Sequence, residues 1–339
     1  MVLGKRVRRP TVVVILVNWK RAADTCACLE SLASQVFANW SVVVCENASL
    51  DGSAEHLLQF LTERYRFHST DQRPAQGVRA VHRFHDATGR ADRVRVSLVR
   101  STRNLGFAGG NNLAYRHAPG AGQADFVWFL NNDTEVEPDS LLRLVERAAQ
   151  DPTVGICGST LVYAHDRKTV QALGGAVYSP ITGAVREIGH GKLWPCSVDR
   201  DSVERDMRYV SGASMLVSRA FLDRVGLMSE DYFLYYEEID WAERGRRHGF
   251  RLGYAPESVV YHKEGAVLGS GASAGRSALA EYYALRNRLV VTRKFFRWAL
   301  PTVYLFSFLQ VVRRVTQGQW SRAWMMISVL VGLRRSAPG

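Results

Sequence analysis

Three carboxylates, Glu237, Glu238 and Asp240, lie within four residues of one another in the segment Tyr235-Tyr236-Glu237-Glu238-Ile239-Asp240-Trp241. A carboxylate walled off by aromatic side chains is suited to take the proton of a hydroxyl as a general base. Acids in the first turn of a helix are also favoured by its positive end, at about 0.3–1 kcal/mol each. That account leaves the flanking Tyr235, Tyr236 and Trp241 unexplained. At helical spacing, positions 237 and 240 share a face and 238 points elsewhere.

A second constellation stands at Asn131-Asn132-Asp133, directly after the wholly apolar Phe126-Val127-Trp128-Phe129-Leu130. A carboxylate at such a strand end can hold Mg²⁺ or Mn²⁺ against a diphosphate, which leaves readily only when its developing charge is neutralised. An Asx turn before the helix at Pro138 is the alternative reading of the same residues. His262 closes another strand. Lone histidines in that position are usually structural or solvated, and become ligands where Mn²⁺ is close.

A third group is Glu46-Asn47-Ala48-Ser49-Leu50-Asp51-Gly52-Ser53, at the end of a strand, where open α/β sheets bind ligands. Glu46 and Asp51 read as acceptors for a base or ribose, with Ser49, Gly52 and Ser53 as turn and cap residues. The stretch Arg103 to Asn112, with Asn104, Gly106, Gly109 and Asn111, opens a helix and offers backbone that a ligand could approach closely. Asn18 ends the first strand without a G-x-G-x-x-G fingerprint, which argues against a dinucleotide-dependent enzyme. Asn18, Asn47, Asn131 and Asn132 complete the strand-end groups read as ligand-binding, which the resemblance given below makes nucleotide-sugar-binding.

The elements that must position these groups are strands and helices in alternation. Thr11 to Asn18 is a β-branched run of the kind buried on both faces of a mostly parallel sheet. Ala22 to Ala33 reads as a helix, Ser41 to Cys45 as a strand and Gly52 to Arg64 as a helix. Val94 to Val99 and Asp125 to Leu130 read as strands, so the alternation predicts a wound α/β sheet. Tyr65 to Arg93 is polar and aperiodic and reads as a surface excursion, with His68, His82 and His85 solvated. A helix is expected over Pro138 to Gln150. Strands follow near Gly155 to Tyr163, Val170 to Tyr178, Tyr209 to Val217 and Leu252 to Tyr261. Gly265 to Gly275 has the composition of a mobile loop, ahead of a long helix from about Arg276.

With 339 residues and 47% hydrophobic content, the chain can bury one large α/β core plus an appendage, which excludes a disordered or fibrous class. Five cysteines without a C-x-x-C pair point to a reducing, cytoplasmic compartment. The basic cluster Lys5, Arg6, Arg8 and Arg9 is not followed by a signal-peptide pattern. The net charge of +12 is concentrated in the tail, where ten Lys or Arg and no Asp or Glu occur from Arg286 onward. Interleaved Leu, Val, Trp and Met argue against nucleic acid as the partner and for anionic lipid.

Trp298 to Val312 is uncharged over 15 residues, which as a helix spans roughly 22 Å against a hydrocarbon core of about 30 Å. Ala323 to Leu333 is shorter. Both are bracketed by Arg297, Arg313, Arg314, Arg322, Arg334 and Arg335, as expected of amphipathic helices lying at a membrane surface. Packing of both stretches on the catalytic domain is the alternative.

In this order, ENASLDGS, RNLGFAGGNN, NNDTEVEP, SGASMLVSR, FLYYEEIDW and VVYHKEGA resemble family 2 glycosyltransferases, in particular the bacterial rhamnosyltransferase-like branch, from roughly Val12 to Arg288. The resemblance implies a GT-A fold, a Rossmann-like mixed sheet with flanking helices. It implies inversion by direct displacement with a divalent metal on the donor diphosphate. It places Glu46 and Asp51 on the nucleotide, Asp133 and His262 on the metal, and the base in Glu237-Glu238. Glu238 is the first choice and Asp240 the rival. Glu46 and Glu238 stand where relatives more often carry Asp. The implied donor is dTDP-rhamnose, with other dTDP- or UDP-sugars next. The implied acceptor is a saccharide or polyprenyl-linked saccharide at the cytoplasmic membrane face, in cell-wall or surface-polysaccharide synthesis. The competing class is a non-catalytic nucleotide-sugar or lipid-binding protein on the same fold. The expected organisation is a basic segment over 1–10, a GT-A catalytic domain over 11–275, and a basic apolar helical region over 276–339.

Overall fold

The structure, a computed structural model, describes residues 10–71, 77–86, 94–263 and 277–333. The N-terminal basic cluster, the glycine-rich stretch Gly265 to Gly275, and Arg334 and Arg335 lie outside the described residues. The chain begins β1 (Val12–Asn18), α1 (Ala22–Ala33), β2 (Trp40–Glu46), α2 (Ser53–Arg64), β3 (Arg66–Asp71), β4 (Val78–His85) and β5 (Val94–Ser101). It continues with α3 (Gly106–Arg116), β6 (Phe126–Leu130), β7 (Thr134–Val136), α4 (Ser140–Gln150), β8 (Val154–Tyr163), β9 (Val170–Leu173), β10 (Gly175–Tyr178) and β11 (Val185–Glu187). Then come α5 (Arg200–Asp206), β12 (Tyr209–Val210), β13 (Ser214–Ser218), α6 (Arg219–Val225), α7 (Glu237–Arg247) and β14 (Arg251–His262). Three helices follow, α8 (Ala278–Phe295), α9 (Leu300–Thr316) and α10 (Trp320–Leu330).

The main sheet runs β3-β4-β5-β2-β1-β6-β13-β8-β14-β7, with β9 added to β8, and a small sheet β11-β10-β12 lies beside it. Strands β5, β2, β1 and β6 are mutually parallel, and β13 inserts antiparallel between β6 and β8. The β-branched runs build this centre because successive side chains leave opposite faces. Val12, Val14 and Leu16 enter one core cluster while Val13 and Ile15 enter another. Strands β2 and β6 divide in the same way, with Phe126, Trp128 and Leu130 on one face and Val127 and Phe129 on the other. Cys28, Cys45 and Cys157 fill these clusters as small hydrophobes.

Two expectations give way here. The described residues between Tyr65 and Arg93 are not an irregular excursion, because β3 and β4 continue the sheet antiparallel from β5. Arginine and histidine on this edge hairpin conceal the strand period. His82 and His85 are buried rather than solvated, His82 against the Thr70 hydroxyl at 2.9 Å and His85 edge-on to His68. Burial, aided by the Arg100 charge, lowers the basicity of His82. The expected strand Val170 to Tyr178 is broken at Gly174, whose φ of +72° lets the chain leave one sheet for the other.

The last three helices pack against the acid-bearing helix α7 and the turn before it. A third core cluster joins Tyr232, Tyr236 and Ile239 to Tyr282, Leu285, Leu289, Val303 and Met326. The outer side of α9 is open, with Leu305, Phe308, Leu309 and Val312 exposed in one stripe, flanked by the exposed Trp298, Trp320 and Trp324. Among the described residues, no helix is long and apolar enough to cross a membrane.

Candidate active site

Residues read as ligand-binding collect at the carboxyl ends of the parallel strands, where the chain order reverses about β1. Strand β6 runs through Asn131-Asn132-Asp133 into the short β7, whose Thr134 pairs with His262 at the end of β14. That register sets His262 Nε2 3.2 Å from Asp133 Oδ1, although 129 positions separate them in sequence. Gln171 Oε1 holds His262 Nδ1 at 2.9 Å, and Asn131 Nδ2 lies 3.4 Å from Nε2. Burial alone would raise the Asp133 carboxyl, but the His262 imidazole and the Arg21 guanidinium hold it below the usual carboxylate range. One carboxylate and one imidazole nitrogen fit a divalent cation, and Mn²⁺ tolerates the nitrogen better than Mg²⁺. Among the described residues no set of three His, Cys, Asp or Glu is arranged to hold a metal. A cation here would complete its coordination from phosphate oxygens and water.

Asn18 lies on the same edge. It is fully buried, and its Oδ1 accepts from the Thr25 hydroxyl at 2.9 Å, which in turn accepts from Asn132 Nδ2 at 2.8 Å. Asn18 Nδ2 is left without a protein partner. Glu46 is buried beside Asn18 and accepts from the Ser49 amide at 2.8 Å. Asp51 is exposed and accepts from the Ser53 amide, the geometry of a turn ahead of α2.

The glycine-rich segment does different work. Asn47 accepts from the Leu105 amide and donates to Asn104 Oδ1 and the Gly106 carbonyl. Asn111 bonds back to the Phe107 carbonyl. The close approach to Gly106 is made by protein: a Cβ there would stand 2.1 Å from the Phe233 carbonyl oxygen. Gly109 likewise faces Leu105. These residues dock α3 against the segment leading into the acid-bearing helix, so the backbone approach expected of a ligand is taken by Phe233.

That segment is strained. Tyr235 and Tyr236 both adopt positive φ, 67° and 74°, immediately before α7. Such conformations cost about 1–3 kcal/mol each for non-glycine residues and persist only when their surroundings hold them. Asn287 of α8 does so, donating to the carbonyls of Leu234 at 2.8 Å and Tyr235 at 3.0 Å. The Tyr236 hydroxyl donates to the Gly183 carbonyl at 2.9 Å.

The strained turn presents the three acids differently. Glu238 lines a cavity of about 270 Å³, walled in part by Tyr209, Tyr235 and Tyr236. Burial pushes its carboxyl up to about 7, although the Gly212 amide donates to it. Glu237 is buried with one oxygen unpartnered, and burial together with the Glu238 charge raises it far above the carboxylate range. Asp240 is 0% exposed and bound on both oxygens, by Arg244 Nε at 2.6 Å, the Tyr232 hydroxyl at 3.1 Å and Lys294 of α8. Closed in by two cations, Asp240 joins α7 to α8 and has no open path to a substrate.

Removing this one acid leaves two cations facing a buried site, a change that costs about 3–5 kcal/mol where the pair is fully desolvated. Arg244 and Lys294 are partly solvated at 21% and 37%, so Asp240→Asn is expected to lose about 2–3 kcal/mol. Thermal unfolding of the purified variant checks this; an unchanged midpoint would refute the structural role.

Several residues of this site escape sequence reading. Gly212 is one: a Cβ there would lie 2.5 Å from Glu238 Oε1. Thr25, Gln171, Asn287 and Lys294 are others. Each acts through a partner remote in sequence, so only the SGAS segment carries a signal.

A profile of the family described as Glycosyltransferase like family 2 matches residues 10–292. Over 208 residues the chain is 22% identical to the low-salt glycan biosynthesis hexosyltransferase Agl10 of Haloferax volcanii, covering 61% of this chain and 64% of that protein. Over 152 residues it is 26% identical to the N-acetylglucosaminyl-diphospho-decaprenol L-rhamnosyltransferase of Mycobacterium tuberculosis, covering 41% of this chain and 47% of that protein. The matched stretches thus span less than two thirds of either relative. In three dimensions the chain is similar to the mannosyltransferase PcManGT of Pyrobaculum calidifontis in complex with GDP-Man and Mn²⁺, with a TM-score of 0.55 at 16% identity, covering 96% of this chain and 87% of that one. It is also similar to S. aureus TarS 1-349 in complex with UDP-GlcNAc, with a TM-score of 0.53 at 15% identity over 94% and 81% of the two chains. The architecture is the GT-A fold that these structures share. Because one family profile spans the strand ends, the strained turn and most of α8, the chain belongs to glycosyltransferase family 2.

Proposed function

We propose that this protein is an inverting, metal-dependent hexosyltransferase. In this reading it moves L-rhamnose from dTDP-rhamnose to a saccharide or lipid-linked acceptor in cell-surface polysaccharide synthesis, at the cytoplasmic face of the membrane. The observation that carries the transferase reading is Glu238, a carboxylate tuned to about 7 that faces a cavity able to hold an acceptor hydroxyl. The choice of rhamnose and of a lipid-linked acceptor rests on the sequence motifs and on the name of the Mycobacterium tuberculosis relative.

Glu238 takes the proton of the acceptor hydroxyl as the hydroxyl oxygen forms its bond to the anomeric carbon. The bond from that carbon to the donor diphosphate breaks, and its electron pair leaves with the nucleoside diphosphate. Asp133 and His262 would hold the divalent cation, which when bound supplies Lewis-acid neutralisation of the leaving charge. Asn18, Glu46 and Asp51 supply the polar edge for the nucleoside. Glu237 lies buried beside the base, its carboxyl raised by burial and by the Glu238 charge. The exposed stripe of α9 with its neighbouring tryptophans, edged by Arg297 and Arg313, fits a face resting in anionic lipid headgroups.

Titration calorimetry of the purified protein with dTDP-rhamnose, dTDP-glucose and UDP-GlcNAc, in Mn²⁺ and in EDTA, tests the donor. Metal-dependent binding that favours dTDP-rhamnose is expected. Preference for UDP-GlcNAc would reassign the sugar, and no binding of any donor would overturn the transferase reading.

A further inference from the structure

Arg288 on α8 is 7% exposed, yet its partners are all neutral. Its Nε lies 3.3 Å from the Tyr236 hydroxyl, and its Nη1 lies 3.0 Å from Gln310 Oε1 and 3.4 Å from Ser307 Oγ. The guanidinium stands 5.6 Å from the centre of the Phe306 ring. Among the described residues no carboxylate comes within ion-pair distance of it, whereas the adjacent Arg314 is matched by Glu281 at 2.8 Å. A buried cation with no counter-charge is costly unless an anion arrives to complete it. The fold is nevertheless shaped to receive this side chain. Gly183 takes a φ of +67°, and a Cβ at that position would lie 2.5 Å from Arg288 Cγ.

Arg288 lines two cavities. One is the cavity of about 270 Å³ that contains Glu238, and the other, of about 210 Å³, is lined by Arg313 and Arg314. Both share Ala284 and Gln310, and the second also holds Glu281, which Arg314 and Arg322 neutralise, so among the described residues Arg288 and Arg313 are the cations without an acidic partner between Glu238 and the outer side of α9. Arg313 is exposed, has no acidic partner among the described residues, and follows Val312 at the end of the apolar stripe. Neither Asp133, His262 nor Glu46 lines these cavities, which sets them apart from the donor side.

We propose that these cavities bind the phosphate or diphosphate of a phosphorylated acceptor, with Arg288 on the group nearest the sugar and Arg313 at the outer mouth. The sugar's hydroxyl then reaches Glu238, and an attached lipid runs out over the α9 stripe. This rests on the reading of Glu238 as the base of a transferase and adds the acceptor's charged group to it. Guanidinium groups suit phosphate because their forked donors meet two oxygens at once.

The test is titration of the full chain with farnesyl diphosphate in EDTA and no donor, compared with farnesol and with phosphatidylglycerol vesicles. Wild type is expected to bind the diphosphate and not the alcohol. Arg288→Ala should weaken diphosphate binding at least tenfold and Arg288→Lys should restore part of it. Arg313→Ala, at an exposed position, should weaken it about threefold. Donor binding with Mn²⁺, unchanged in each variant, shows that the site is folded. Equal affinity for farnesol, or diphosphate affinity within twofold of wild type in Arg288→Ala, overturns the proposal. So does a loss confined to phosphatidylglycerol vesicles, which would make Arg288 a headgroup contact. If wild type binds diphosphate through Arg288 but no nucleotide sugar, the anion site stands and the transferase reading fails.

Discussion

Glu238→Gln is expected to lower kcat by about 10²–10⁴-fold while leaving metal-dependent donor affinity within twofold, because an amide keeps the shape of the side chain and cannot accept the proton. The pH profile gives an independent reading. Only ionised Glu238 acts as base, so kcat/KM should climb with pH and level off near 7, where burial sets its carboxyl. A wild-type profile flat from pH 5 to 8 would count against Glu238, as would a Gln variant retaining more than a tenth of the rate. Stability moves the opposite way. The folded carboxyl lies above its unfolded value of 4.5, so the fold binds this proton more tightly than the open chain does. The stability it contributes is full below about pH 4.5 and is lost as pH rises to about 7. Glu238→Gln, uncharged at every pH, should make the fall in stability between pH 5 and 8 smaller than in wild type, Glu237 still contributing its own share, and denaturant unfolding at those two pH values measures the difference.

Asp133→Asn carries the second large effect. The carboxylate is the one charged ligand that β6 delivers to the strand edge, and it is held ionised by His262 and Arg21. Replacing it by an amide preserves the hydrogen bond towards His262 and removes the charge that would anchor a cation. The difference in donor affinity between Mn²⁺ and EDTA, expected to be large in wild type, should collapse in the variant. Turnover should fall by about 10²–10⁴-fold, several kcal/mol of leaving-group stabilisation. His262→Ala should act in the same direction with a smaller effect, since a neutral imidazole contributes no charge. Equal donor binding by wild type in Mn²⁺ and in EDTA would remove the metal from this site. An effect of Asp133→Asn that persists in EDTA would show that the residue contacts the donor directly.

Asp240 shows how a sequence can name the right neighbourhood and leave the role open. Spacing places 237 and 240 on one face of a helix and 238 on another, and the helix α7 obeys it. Which face is the chemical one depends on α8, from more than 40 positions downstream, whose Lys294 closes over Asp240 and whose Asn287 holds the turn that aims Glu238. The glycine-rich segment is a parallel case. Its glycines announce a close backbone approach, and the approaching group is the Phe233 carbonyl.

The α/β class, the two-sided burial of the central strands, the boundaries of α1 and the strand-end location of the polar groups were all determined by the sequence itself. These depend on period and on neighbours within a few residues, which any linear reading contains. The tertiary structure alone decided that His262 meets Asp133, that Asp240 is locked in an ion pair, that β3 and β4 extend the sheet, and that the last helices wall the Glu238 cavity. Each of these is a contact across the sheet or between remote helices. Its energy comes from burial and charge pairing that exist only once the chain has folded.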